Sequence, residues 1–225
     1  MRFHLPKPLH GWRAFAGEVG IIVLGVLIAL GAGQVVETIH QRSDVAQLRD
    51  ALHAELADDR ARWENIRVGD VCTLRRLDAL EHWLAVAPAD ARLQHAYIPF
   101  LWNTHTSAWD SAKSTPAGQL LGLDERLTYA SLYEGLDNWR RINDNEIENA
   151  VAISVDFATA NQPENRRELP KLLVHARGFL AGRQANYPYF FTRFDALKIR
   201  PDSSRFTLRA NPKALCAPLG SPNSQ

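Results

Sequence analysis

The sequence is short of the residues that most often carry chemistry. It holds two cysteines, Cys72 and Cys216, in 225 residues. No CxxC pair is present, which excludes the usual dithiol redox motif, and two thiols cannot complete a four-ligand zinc site. The eight histidines are scattered singly. None forms HExxH or a close pair of ligands on one helix face, and GxSxG elbows, phosphate loops and dinucleotide fingerprints are also missing. No metal site and no cofactor are therefore expected. An excess of one charge is lacking too: 26 Lys and Arg stand against 25 Asp and Glu, interleaved along the chain. Without a basic patch, nucleic acid is not an expected partner. Proline is absent from Glu37 to Ala87, where Gly69 is the only glycine, so nothing there forbids a very long helix. Internal repeats and low-complexity tracts are not found.

One long apolar run is present, and the rest of the chain is organised around it. Val19 to Val36 reads VGIIVLGVLIALGAGQVV, eighteen residues without a charge. A helix needs roughly 20 apolar residues to cross a bilayer. Trp12 and Phe15 precede it as interface anchors, and Glu18 sits at its edge. Arg2, Lys7 and Arg13 lie before the run, while Glu37, Arg42 and Asp44 follow it. This asymmetry predicts a cytoplasmic N terminus and a main domain on the far side of a bacterial inner membrane. A cleaved secretory signal is the alternative, with Ala29 and Gly31 at positions minus 3 and minus 1. The length of the run favours an uncleaved anchor. Gly25, Ala29 and Gly33 recur every four residues and form a small-residue stripe on a helix. Such a stripe fits another transmembrane helix, from a second copy or a different subunit; the bland reading is that glycine is common in membrane helices. Membrane lipid is the other expected partner, and whether a small-molecule ligand binds is left open.

The remainder reads as helices. Val45, Leu48, Leu52, Leu56, Trp63 and Ile66 mark an apolar face that Leu74, Leu77, Leu80 and Leu84 continue. This is one long helix, or two with a break near Gly69, ending at Pro88. Glu55, Asp58, Asp59, Arg60, Arg62 and Glu64 fill its remaining surface, although Asp59 and Asp70 fall on or near the seam. A connection rich in aromatics, including Phe100 and Trp102, leads to a short helix over residues 106–115 and a turn at Pro116-Ala-Gly118. Trp102 and Trp109 are expected in the core. Asp124 is a candidate N-cap for a helix toward Ala158, with Asn143 to Asn149 either an exposed stretch or a break. Asn165 and Glu168 resemble a capping box for the next helix, which Gly182 to Pro188 should close. Tyr187, Tyr189, Phe190, Phe191 and Phe194 then form either a short helix across the bundle or an exposed interaction surface. Cys72 and Cys216 either pair, tying the tail to the first long helix, or stay as two buried thiols.

The expected fold is all-α: an N-terminal transmembrane helix running into a long helix that packs in an extracytoplasmic helical bundle. Its divisions are a cytoplasmic tail over residues 1–13, a transmembrane helix over 14–36, a helical domain over 37–200 and an irregular tail over 201–225. Glu18, Gly25, Leu27, Ile28, Ala29 and Leu30 follow the pattern E-x-x-x-x-x-x-G-x-L-I-A-L. With Trp109, the Ser111-Ala-Lys-Ser114 segment, Tyr129, Leu132 and Tyr133, the chain resembles an uncharacterised bacterial family of small single-pass membrane proteins. It departs from that family at Gln34-Val-Val-Glu37, where relatives often carry an asparagine and tryptophan segment. The resemblance implies an N-terminal anchor and a helical extracytoplasmic domain, and no activity.

Function follows from topology more than from chemistry. The nearest approach to a catalytic set is His105, Asp110 and Ser111, residue types that can form a relay when a fold orients them. They are common in any loop, and no enzyme activity is expected. A tail of about a dozen residues cannot hold a signalling domain of ordinary size. The reading is a membrane-anchored structural or accessory protein acting through protein–protein contacts. The alternative is an extracytoplasmic ligand-binding or sensor module that signals through a membrane partner.

Overall fold

A proline-free stretch with an unbroken apolar period forms one continuous helix here. The computed structural model describes residues 11–97, 104–204 and 216–219, with the side chains of residues 13 and 14 left aside. Helix α1 runs Gly11–Val86, α2 Ser107–Ser114, α3 Pro116–Gln119, α4 Leu123–Ala158 and α5 Pro163–Ala196. The described residues contain α-helices and no strand. The proposed tail residues 1–10, the connection holding Phe100 and Trp102, and residues 205–215 and 220–225 lie outside the described residues. Gly11 to Arg13, assigned to the tail on sequence, are helical.

The chain divides into two units, Met1–Gln47 and Leu48–Gln225. In the first, the apolar part of α1 is long and apolar enough to cross a membrane, and none of it is buried. Ile21, Ile22, Leu24, Leu27, Ile28 and Leu30 all face outward.

In the second unit, helices α1, α4 and α5 contribute the core. Trp63 is fully buried at its centre. Its indole stacks on Phe190 with ring centroids 4.1 Å apart, meets Tyr187 edge-on at 5.7 Å and lies 5.4 Å from Trp139. Such pairs add to the burial of their large apolar area. A second cluster joins Leu77 and Leu80 to Ile153, Phe157, Leu169, Leu173 and Leu180, with Tyr97 closing over it. Gly69 does not break α1.

Two arginines finish helices other than their own. The last carbonyls of a helix have no intrahelical donor. Arg166 of α5 supplies donors to the carbonyls of Leu84, Ala87 and Pro88 at the end of α1. Arg60 of α1 donates to Ile199 O and pairs with Asp195 at the end of α5. The starts differ in detail from the sequence reading. Gly122, not Asp124, is the N-cap of α4, and Asp124 lies in its first turn. Helix α5 begins at Pro163 with Gln162 as N-cap, two residues before Asn165. Proline is well suited to that first turn because its missing N–H has no partner there anyway. Pro116-Ala-Gly118 is the short helix α3, capped by the Thr115 hydroxyl.

Helix α5 also continues through Gly182 and Pro188 to Ala196. Proline inside a helix removes a hydrogen bond and crowds the preceding turn. Arg183, Tyr187, Phe190 and Phe194 are buried on both sides of Pro188, and their packing carries the helix through the defect. Tyr187, Phe190 and Phe194 therefore belong to the core, with Tyr189 and Phe191 half-buried. This corrects the idea of an exposed aromatic surface: an inward-facing stripe is not available to a partner.

At Gly135, α4 meets this stripe closely. A Cβ there would lie 2.8 Å from Tyr189 Cε1 and 3.2 Å from Phe190 Cε1. The tyrosine is held by its hydroxyl, which donates to Ser131 O at 2.7 Å. Gly135→Ala is expected to destabilise the fold by about 1–3 kcal/mol through overpacking. Urea unfolding checks this, and an unchanged midpoint would show that the two rings yield freely.

Candidate functional site

Three carboxylates on successive turns of α1 define the most distinctive polar region. Asp58, expected on the remaining surface of α1, is 6% exposed, and Asp59, expected on or near the seam, is fully buried. The start of α2 meets Glu55, and His105, just before that helix, meets Asp58 and Asp59. Glu55 receives the Ser107 hydroxyl at 2.7 Å, the Ala108 N–H at 3.1 and 3.2 Å, and the Tyr133 hydroxyl at 2.9 Å. A carboxylate at the first turn of a helix satisfies free N–H groups and suits the helix dipole. Asp58 Oδ2 accepts from Arg62 Nε and Nη2 at 3.1 and 2.8 Å. His105 Nδ1 lies 3.4 Å from the same oxygen. The His105 N–H donates to Asp59 Oδ1 at 3.3 Å. Asp58 Oδ1 and Asp59 Oδ2 are buried without a hydrogen-bond partner among the described residues.

A groove of about 430 Å³ opens over this group, lined by Ala51, Ala54, Glu55, Asp58, His105, Ser107, Ala108 and Ser111. Short side chains make the space: alanines at three positions leave an apolar floor between the carboxylates and the serines. Trp109, half-buried, lies parallel to Tyr133 with centroids 5.6 Å apart and fixes α2 against α4.

Electrostatics follow burial. Asp59 is lifted well above the ordinary carboxylate range by loss of hydration, which outweighs the His105 N–H and Arg62. Burial and the Glu55 charge likewise push the Tyr133 hydroxyl upward. Burial raises Tyr129 to about 12. The raised Asp59 has a testable consequence. The native state keeps its proton at a pH where the unfolded chain has released it, so the native state binds more protons. Its contribution to stability then falls as pH rises from the ordinary carboxylate value through the raised one. Asp59→Asn keeps the acceptor for the His105 N–H and removes the titration. The variant is expected to be as stable as the parent or more so at pH 8, with a flatter dependence of unfolding midpoint on pH. A loss of more than about 2 kcal/mol at pH 8 would show that the charged carboxylate is needed.

His105 and Ser111 both line the groove, but Asp110 does not join them. It pairs with Lys113 at 2.7 Å and accepts the Thr106 hydroxyl at 3.2 Å, at an exposed position. The Ser111 hydroxyl donates to Ser107 O at 2.9 Å. The carboxylate beside His105 is Asp58, from a different helix. Among the described residues no three His, Cys, Asp or Glu are arranged to hold a metal ion.

The other residues singled out on sequence lie apart. Gly25, Ala29 and Gly33 are exposed on α1, with nothing within 4 Å of a Cβ built at either glycine. Cys72 of α1 is joined to Cys216 by a disulfide, with Cα atoms 4.7 Å apart.

A second buried polar group ties three helices together. Arg183 of α5 is fully buried. Its Nε and Nη2 donate to Asp70 Oδ1 at 3.0 and 2.8 Å, and its Nη1 to Glu146 Oε2 at 2.6 Å. The Tyr187 hydroxyl donates to Asp70 Oδ2 at 2.5 Å. Burial raises Glu146 despite the adjacent guanidinium. The carboxylates hold Arg183 above its ordinary value against the opposite pull of burial. The group resembles a structural clamp, closed to solvent on every side.

Comparison with family models, curated proteins and solved structures gives no match for this chain.

Proposed function

We propose that this chain is a membrane-anchored structural or accessory protein of a bacterial inner membrane, acting through protein–protein contacts and without catalysis. Its N terminus lies in the cytoplasm, α1 crosses the bilayer, and the helical unit stands on the periplasmic side. The observation that carries the reading is the apolar part of α1, none of which is buried. So large an apolar face is unfavourable in water and natural in lipid. Two features support the topology. Basic residues flank the run on its N-terminal side, and the disulfide suits an oxidising compartment. Gly25, Ala29 and Gly33, exposed along one side of α1, supply the surface on which a second transmembrane helix packs closely.

The test is the mass and protein content of the native complex extracted in mild detergent from the cells' own membranes. The parent chain is expected in an assembly with a defined second protein. Ala29→Leu with Gly33→Leu is expected to lose that assembly while still inserting in the membrane. Unchanged assembly in the double variant would refute the role of the stripe, and a monomer in the parent would refute the accessory reading.

A further inference from the structure

The groove over Glu55 and Asp58 has an incompletely bonded carboxylate in its wall. Arg62 donates to Asp58 Oδ2 from both Nε and Nη2. Glu55 has its oxygens engaged by Ser107, Ala108 and Tyr133. Asp58 is bonded through one oxygen only: it lines the groove, is 6% exposed, and its Oδ1 has no hydrogen-bond partner among the described residues. A buried carboxylate with an unmatched oxygen is costly unless something compensates it. His105 approaches Asp58 only to 3.4 Å and is half exposed. That is longer than a charge-assisted hydrogen bond, which runs about 2.7–2.9 Å. A stronger donor entering the groove would outcompete it.

The remaining walls specify the rest of the ligand. Ala51, Ala54 and Ala108 give hydrocarbon contact, and Ser107 and Ser111 provide polar edges. A bare metal ion gains nothing from an alanine floor, whereas an alkyl chain does. We propose that the groove between α1 and α2 binds a small aliphatic amine, its ammonium compensating Asp58 and its methylenes lying over Ala51, Ala54 and Ala108. The site goes beyond the anchor reading and does not depend on it, because every wall belongs to the helical unit.

Calorimetric titration of the full chain in detergent tests this, using 1,4-diaminobutane, butylamine, 1-butanol and calcium chloride as probes. Both amines are expected to bind saturably at one site, and 1-butanol, which lacks the charge, is not. Asp58→Asn is expected to weaken amine binding at least about tenfold. Ala51→Leu, at an exposed position where folding is not at risk, fills the groove and is expected to do the same. Thermal midpoints of both variants establish that they are folded. No saturable amine binding up to about 10 mM would overturn the proposal. So would amine binding equal to the parent's in both folded variants, which would place the amine elsewhere, or calcium displacing the amine at lower concentration, which would make this a metal site.

Discussion

Replacing Arg183 with methionine is expected to destabilise the helical unit by about 3–5 kcal/mol at neutral pH, a large part of the 5–15 kcal/mol typical of a domain. The side chain is fully buried and neutralises Asp70 of α1 and Glu146 of α4, neither of which has access to water. Methionine fills much of the same volume but leaves two desolvated carboxylates side by side. Those carboxylates must then take up protons to remain buried, so the deficit should shrink as pH is lowered toward 5. A triple variant, Asp70→Leu, Glu146→Leu and Arg183→Met, removes all the charges together and should recover most of the lost stability. Guanidinium unfolding of the three proteins measures this. A single variant within about 1 kcal/mol of the parent would mean that the clamp carries no net strain when opened. A triple variant no better than the single one would mean that shape, and not charge, governs the site.

Breaking the Cys72–Cys216 disulfide is expected to have the next largest effect. The bond closes a loop across a sequence separation of 144 residues. On the chain-entropy account a loop of that length restricts the unfolded state by about 5 kcal/mol, with measured losses commonly about 2–5 kcal/mol. The bond also holds residues 216–219 on the unit, where Ala217 O accepts from Arg76 Nη2 at 2.8 Å and Leu219 packs against the cluster around Leu77, Leu80 and Phe157. Cys72→Ala with Cys216→Ser, and the parent after reduction, should show the same lowered unfolding midpoint. Equal midpoints for oxidised and reduced parent would show that the link constrains little.

Both effects sit at residues whose partners are remote in sequence, which explains what could be read in advance. Helices were legible wherever an apolar period ran without proline. The stripe from Leu52 to Leu80 marked the inward face of α1: Leu52, Leu56, Trp63, Ile66, Leu77 and Leu80 are buried, and Leu74 alone of that stripe is exposed. The breaks were not legible. Gly69 and the Gly182 to Pro188 segment favour interruption locally, but Arg183, Tyr187 and Phe190 are pinned by α1 and α4, and tertiary packing outweighs local propensity. The same blindness hid the core role of Phe190 and Phe194, because an aromatic stripe looks alike whether a partner helix or a second protein covers it.

The groove shows the same limit more sharply. Asp59 and Asp70 stood near an apolar seam, and that was a signal: a carboxylate on a buried face requires a partner. Nothing local named Arg183, which is 113 residues from Asp70, or His105, which is 46 residues from Asp59. His105, Asp110 and Ser111 drew notice because they are neighbours in sequence. The fold instead turns Asp110 toward Lys113 and sets His105 beside Asp58. Side chains brought together by packing, not by sequence proximity, make the site.

Under the function proposed above, the apolar part of α1 anchors the chain in the membrane. The most direct test of this is the intact mass of the protein recovered from membranes washed in alkaline carbonate. The account predicts a membrane-retained chain carrying all 225 residues, with the apolar run of α1 intact. A shortened chain beginning near Ala32 and released into the soluble fraction would contradict it, and would make that segment a cleaved secretory signal.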